Sequence, residues 1–332
     1  MTESAANIPS QAPPVAILSH GTAMSYYRTL DPTHPKAAHV TKAYPLQKAS
    51  ASSDLLNTFN PAYKGFGGAP LDLLVPNRSL VRTSSKLIAH SCEIELPSNS
   101  FWKLNDTLYV SSPELCFMQM AQSMSIAQLV ELGVNLCSSY FVDVKTGKLP
   151  KRKPVTTPLK LARYVEKLTG AKGAKKAREA LKWVVPGSRS PMETKVFVLL
   201  CYPKSRGGYG FVLAVLNHDV DPGRSEHLTE QDYFIIDICW PEHFTGVEYY
   251  GGDDHDDSIV HDRRRLDALE ALGWNMVVID KQRLYNPDAF DVAANQLASH
   301  LNYRIRKDAT WQEAHTSLRQ DLGLLTPTTS AN

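Results

Sequence analysis

Cysteine is scarce in this chain, and what there is does not pair. The five residues at 92, 116, 137, 201 and 239 form no close pair, and their number is odd in a chain of 332 residues. That argues against a disulfide scaffold and against a zinc cage of cysteines, and points to reduced thiols in a cytoplasmic protein. Long apolar runs are also missing. One of the longest, residues 196–202, falls far short of a bilayer span, so no membrane role is expected. The first residues, Met-Thr-Glu-Ser-Ala-Ala-Asn-Ile-Pro, lack the basic-then-apolar layout of a signal peptide. No single sign of charge dominates. The net charge is +2, so the whole molecule says nothing about nucleic acid, although the distribution does. Gly207-Gly208-Tyr209-Gly210 has no Gly-Lys-Ser/Thr, which excludes a phosphate loop and any nucleotide cofactor held by one. The acidic residues Asp253, Asp254, Asp256 and Asp257 lack the central Gly and distal Glu of a calcium loop. No internal repeat is visible.

What is present concentrates in residues 233–280. An apolar run over 233–239 is broken by Asp237, and a second over 247–250 by Glu248. The spacing of Leu266, Leu269 and Leu272 predicts a helix over 261–272. Gly273 is placed to end it in the left-handed conformation, and an apolar strand follows over 274–280. A strand–helix–strand unit of this kind implies a crossover between parallel strands. Side chains alternate along a strand, so Asp237 and Glu248 converge if their faces coincide. Two carboxylates so placed resist ionising together unless a cation joins them. Oxygen ligands suit Mg2+ (or Mn2+), which keeps several waters and takes few protein ligands.

Upstream, the expected strands are 70–76, 86–88, 92–96 and 108–110. Ser19 is expected to cap a helix reaching about Leu30, and Ser112-Pro113-Glu114 to open another. Further helices are expected over 126–136, from Ser190-Pro191, from Asn286 and from Thr310, with a strand over 211–216. Residues 1–14 and the end from Pro327 read as loose tails. Over 145–182 thirteen lysines and arginines face only Glu166 and Glu179, on two short helices near 158–169 and 173–184. This stretch is either a solvated basic face or a surface that tracks phosphates through Lys160, Arg163, Lys167, Lys175 and Lys176. Beside the acidic 233–262 region, the second role makes one job of both: cations hold a polyanion, and a metal on carboxylates cuts it.

The order of residues resembles a known family. It runs Ser-Pro-Met-Glu on a helix, Asp on a strand, Glu-Tyr-x-Gly, a histidine, then Asp-x-x-Arg opening a helix that ends Leu-Gly-Trp. Over about 187–280 this resembles the very-short-patch-repair-like endonuclease domains of the restriction-endonuclease-like PD-(D/E)XK superfamily. Residues 19–28, 70–76 and 108–121 are similar to the middle region of AbiEi-type antitoxins, transcriptional regulators of type IV toxin–antitoxin systems. The resemblance implies Asp237 and Glu248 as metal ligands, Glu193 as an auxiliary acid, His255 near the scissile phosphate, and Asp262 and Arg265 as a supporting helix pair. It also implies DNA as substrate or partner, and a toxin as a further partner. Relatives carry Asp or Lys where this chain has Tyr250, a poor ligand or base at neutral pH, which points to a weakened site. Lys281 or Gln282 would then supply a polar group.

Plainer roles stand beside each of these. Ser190 with Glu193 makes a capping box, and Asp262 suits a helix start. Asp237 or Glu248 can pair with Arg265, and His255 and His261 suit a solvated acidic loop.

The fold class expected is α/β (α+β). A restriction-endonuclease-like mixed sheet flanked by helices occupies 187–308. A smaller α+β region covers 15–144, a basic helical segment 145–186, and a C-terminal helix and tail 309–332. The function expected is metal-dependent hydrolysis of DNA phosphodiesters, or, with Tyr250 disabling the site, DNA binding by a non-catalytic regulator of the antitoxin type.

Overall fold

The computed structural model describes residues 14–31, 38–40, 44–52, 70–221, 234–251 and 256–325, with the backbone alone at 38–40, 44 and 256–262. It is a mixed α+β chain with two mixed sheets and divides into two compact units. One comprises Met1–Met120 with Tyr164–Ala171, the other Ala121–Arg163 with Lys172–Asn332. These boundaries do not follow the expected breaks at 144 and 186.

In the first unit, short apolar runs form the strands. The elements are β1 (Ala16–Leu18), α1 (His20–Thr29), β2 (Ala38–Val40), α2 (Tyr44–Gln47), β3 (Leu71–Val75), β4 (Leu87–Ser91), β5 (Phe101–Lys103), β6 (Leu108–Ser111) and α3 (Pro113–Met120). The strands run β2-β5-β6-β1-β3-β4. β1 is parallel to β6, and β3 to β4; the other pairings are antiparallel. Two expectations fail here. Residues 92–96 form no strand; the Cys92 N–H closes on the Val75 carbonyl and the ladder stops there. Ser19 sits at the N-cap of α1 with extended backbone, yet its hydroxyl makes no cap bond and meets the His20 ring instead.

The second unit opens with α4 (Ile126–Leu136), whose Ser125 and Gln128 form a reciprocal capping box. The basic helices follow as α5 (Pro158–Lys167) and α6 (Ala174–Leu181); part of α5 groups with the first unit. Leu161, Tyr164 and Val165 of α5 are buried, as their spacing requires, and so is Ala177 of α6. Next come α7 (Pro191–Cys201), β7 (Val215–Val220), β8 (Phe234–Trp240), β9 (Thr245–Tyr250), α8 (Asp256–Ala271), β10 (Asn275–Asp280), α9 (Lys281–Tyr285), α10 (Pro287–His300) and α11 (Ala309–Asp321).

The second sheet runs β10-β9-β8-β7, with β9 and β10 parallel and the rest antiparallel. The expected crossover is therefore present, and Gly273 ends its helix region with φ +85°. Ala268 and Leu269 of α8 pack with Phe234, Ile236 and Trp274. The strand expected at 211–216 begins only at Val215, because Tyr209, Gly210 and Phe211 give their N–H groups to Leu199, Tyr202 and Leu200 at the end of α7. α11 docks through Trp311 Nε1 to the Gly208 carbonyl at 2.9 Å and His315 Nδ1 to the Gly207 carbonyl at 2.6 Å. It is thus integral to this unit. Among the described residues no helix is long and apolar enough to cross a membrane.

Candidate functional site: a carboxyl cluster on the second sheet

Three carboxyls are placed by three elements of the second unit. The register that pairs Ile238 with Val247 and Cys239 with Gly246 sets Asp237 opposite Glu248 one step further along. The Tyr249 N–H donates to Asp237 Oδ2 at 2.9 Å, which fixes the carboxyl across the strand pair. On the other side of β8, the pairs Leu216–Ile238 and His218–Ile236 flank Asn217 and Asp237. Asn217 has φ +51°, a left-handed residue inside a strand, which Asn tolerates better than most. Its Nδ2 donates to Glu193 Oε2 at 2.7 Å.

Glu193 comes from the first turn of α7. Ser190 accepts the Glu193 N–H at 3.1 Å, the expected cap. The Glu193 carboxylate takes the Arg189 N–H at 2.9 Å, so it reaches back as in a capping box but one residue further than usual. Gly187 makes the preceding turn possible: with φ +104°, a Cβ there would lie 2.9 Å from the Leu216 carbonyl oxygen. Cap and catalytic reading therefore describe the same carboxyl, since the bonds that cap α7 also hold Glu193 beside β7.

Arg265 completes the group from α8. Its Nη2 donates to Glu248 Oε1 at 2.5 Å and to the Ile235 carbonyl at 2.6 Å. It lies one turn before Leu269, on the face that packs into the sheet. Glu248 is 2% exposed and Glu193 6%, so both carboxyls are out of water.

The electrostatics follow from this burial. Burial pushes Glu193 up to about 7, and the charge of Asp237 adds to it, against the Arg189 N–H, Asn217 and Ser190. Burial pushes Glu248 up to about 8, again with Asp237 adding and Arg265 opposing. Burial raises Asp237 too, while the Tyr249 N–H, Arg265, Arg189 and a hydrogen bond with the Glu248 carboxyl favour its ionised form. Three carboxyls thus face two guanidinium charges, and the cluster retains a proton near neutral pH.

The donor set is hard oxygen throughout. Asp237 and Glu248 together match a magnesium site that uses one or two carboxylates and keeps its waters. They do not make a full protein cage: among the described residues, no three His, Cys, Asp or Glu side chains group closely enough to hold a metal. The surplus of carboxyls over cations is the feature that a divalent ion fits.

Other expected residues fall elsewhere. Tyr250 shares the face of Glu248 on β9, and its phenol acts electrostatically on Arg265. His255 lies outside the described residues, as does the side chain of Asp262. Lys281 and Gln282 are exposed at the start of α9, and no hydrogen bond or ion pair among the described residues joins them to the carboxyls. Lys160, Arg163, Lys167 and Lys175 are exposed on α5 and α6, whereas Lys176 is half-buried with its ammonium on the Met124 carbonyl at 2.6 Å. Sequence reasoning missed Asn217 and Arg189. The one available signal was Arg189 beside the Ser190 cap; an Asn inside a strand gives no sign that it will turn left-handed.

Comparison of the chain with family models, with curated proteins and with solved structures gives no match.

Proposed function

We propose that the second unit is nuclease-like and acts on DNA with Mg2+ (or Mn2+) held by Asp237 and Glu248. The observation that carries this reading is the gathering of Asp237, Glu248 and Glu193 from two strands and a helix into one buried, mutually repelling group. A bound magnesium ion would lower the pKa of its water and stabilise the departing phosphate oxygen. The chain's own residues do the rest. Arg265 fixes the orientation of Glu248, and the Tyr249 N–H that of Asp237. Glu193, held by Asn217 and the Arg189 N–H, retains a proton near neutrality and can move it to or from an oxygen. Lys160, Arg163, Lys167 and Lys175 supply backbone contacts to a polyanion. This reading places the chain with the restriction-endonuclease-like PD-(D/E)XK proteins.

The test is incubation of the pure protein with plasmid and with single-stranded DNA, with and without magnesium or manganese, beside the Asp237→Ala/Glu248→Ala double variant. Cleavage that needs metal and disappears in the double variant is expected. Cleavage that persists in it rejects the site.

A second reading is favoured by one contact. The 2.5 Å ion pair between Arg265 and Glu248 already neutralises one of the two metal-binding carboxyls, and Tyr250 stands where the nuclease domains that the sequence resembles carry Asp or Lys. On that reading the fold is kept for non-catalytic DNA binding, as in an antitoxin-type regulator with a toxin partner. Mobility shifts that weaken with salt, without metal-dependent cleavage, are its expected result.

A further inference from the structure

The connection between α10 and α11 carries cations that lie outside the basic stretch 145–182. It runs Asn302-Tyr303-Arg304-Ile305-Arg306-Lys307-Asp308 and belongs to the second unit. Both of its ends are pinned. Tyr303 gives its N–H to the Ala298 carbonyl at 2.8 Å and its hydroxyl to the Gly210 carbonyl at 2.8 Å. Asp308 accepts the Trp311 N–H at 2.8 Å and so caps α11. Lys307 pairs with Asp291, and its ammonium lies 5.5 Å from the Tyr209 ring centroid and 5.2 Å from that of Trp311.

Between these anchors the exposure alternates. Tyr303 and Ile305 are half-buried, whereas Arg304 and Arg306 are exposed. Residues two apart in an open chain stand at most about 7 Å from each other, so two guanidiniums project from one short, fixed segment. Lys204 joins them from the turn after α7. Its Nζ lies 4.6 Å from the Tyr303 ring centroid and donates to the Arg304 carbonyl at 3.4 Å.

The carboxylates that contact this segment are already used. Asp291 holds Lys307 and the Tyr209 hydroxyl, and Asp308 holds the start of α11. Arg206, beside Lys204, is spent on Glu179 and on the Tyr202 hydroxyl. Of the cations in 204–206 and 304–307, those that form ion pairs among the described residues are Arg206 and Lys307. Arg304, Arg306 and Lys204 therefore keep their charge for something outside the chain.

We propose that Arg304, Arg306 and Lys204 form a second contact surface for the phosphate backbone of duplex DNA, adding to the contacts from α5 and α6. The proposal rests on the reading of the second unit as acting on DNA. A guanidinium presents a fork of donors that matches phosphate oxygens, and holding it on a pinned segment lowers the entropy lost on binding. Tyr303 and Ile305 turn inward, so the surface lacks the exposed apolar anchors on which a protein partner would pack. Cations without such anchors suit a backbone, where charge alone holds the partner and base sequence is not read.

α7 links this surface to the carboxyl cluster. Glu193 stands in its first turn and Lys204 follows its last, and its 11 residues span about 16 Å. At about 3.4 Å per nucleotide along one strand, roughly five phosphates cover that length. Arg304, Arg306 and Lys204 would thus hold backbone that flanks the reacting phosphate, and none of them touches the reacting atoms.

The test is fluorescence anisotropy of the full chain with a labelled duplex across a salt series in EDTA. Arg304→Gln/Arg306→Gln should lower the slope of log Kobs against log salt by about 2, and adding Lys204→Gln should lower it by about 1 more. The same loss of two charges at Lys145 and Lys148, which are also exposed, should leave the slope unchanged. A slope unchanged in the Arg304/Arg306 variant, or a fall matched by the Lys145/Lys148 variant, overturns the proposal and leaves the DNA reading standing. A wild-type chain without salt-dependent binding rejects that reading and this surface with it. Duplex should also shield Arg304 and Arg306 of the wild-type chain from phenylglyoxal, read by mass spectrometry. Equal modification with and without duplex overturns the assignment.

Discussion

Arg265 sets how much uncompensated charge the carboxyl cluster carries. Its guanidinium lies against a Glu248 that is almost wholly out of water, so removing it strands a buried carboxyl. Above about pH 8, where Glu248 is ionised, Arg265→Ala should cost about 3–5 kcal/mol in denaturant unfolding. The paired change Arg265→Met with Glu248→Gln should recover most of that, because the stranded charge goes with its partner; no recovery would mean that Arg265 acts through packing. The same cluster sets a pH dependence. Glu193 and Glu248 are raised in the folded chain to about 7 and about 8 from the ordinary 4.5. The folded state therefore binds protons more tightly than the unfolded one over that window. The stabilisation is full below the unfolded carboxylate range and is lost as pH rises through about 7 to 8. For Glu193 the effect is on the order of 3 kcal/mol at most. Metal-free protein should melt at a lower temperature at pH 8 than at pH 5.5, and Glu193→Gln should flatten the difference. If magnesium occupies the cluster, it should raise the melting temperature more at pH 8, where the carboxyls are free to bind it. An equal effect at both pH values would separate the metal from these groups.

At the scale of elements, α11 is the part whose importance the sequence hides most. Trp311 is 5% exposed, and its indole closes on a backbone carbonyl in the Gly207-Gly208 turn. Trp311→Ala should cost about 3–5 kcal/mol by chemical denaturation. In Gly208 a Cβ would lie 1.9 Å from the Tyr202 oxygen, so Gly208→Ala should cost about 3 kcal/mol or more, or prevent folding. Those glycines read in sequence only as a turn, since the close approach of Gly207 to Ala314 and His315 in the middle of α11 leaves no local pattern. Elements with chemical punctuation were legible: Ser190-Pro191 before α7, Asn286-Pro287 before α10 and Gly273 after α8. So were the alternating strands that set Asp237 against Glu248, because their register follows from burial. β5 was not, being three residues with no flanking signal; the strand expected over 92–96 failed because, among the described residues, its backbone pairs only at Cys92. Arg189 and Asn217 escaped because each acts through backbone geometry, one by its N–H and the other by its φ.

For the whole molecule, a net charge of +2 conceals an uneven distribution. The eight acidic residues of 233–262 offset only part of the thirteen cations of 145–182, and acidic residues elsewhere bring the total down to +2, so global charge gives no steering and any hold on DNA must be local. Part of the basic stretch is already committed. Lys182 pairs with Glu179 at 2.7 Å, and Lys176 is spent on the Met124 carbonyl. Lys160, Arg163, Lys167 and Lys175 remain exposed, and no ion pair joins them among the described residues. Each cation that neutralises one duplex phosphate contributes about 0.9 to the slope of log Kobs against log salt. Replacing all four with Gln should therefore lower the slope by roughly 3 to 4, while surface changes of this kind leave stability within about 0.5 kcal/mol per site. The Asp237→Ala/Glu248→Ala variant should keep the parent slope, because those buried carboxyls oppose phosphate and do not hold it. Fluorescence anisotropy with a labelled duplex across a salt series reads both. A slope unchanged by the fourfold substitution would assign these residues to a solvated face, and would leave the carboxyl cluster without the DNA contacts that the nuclease reading needs.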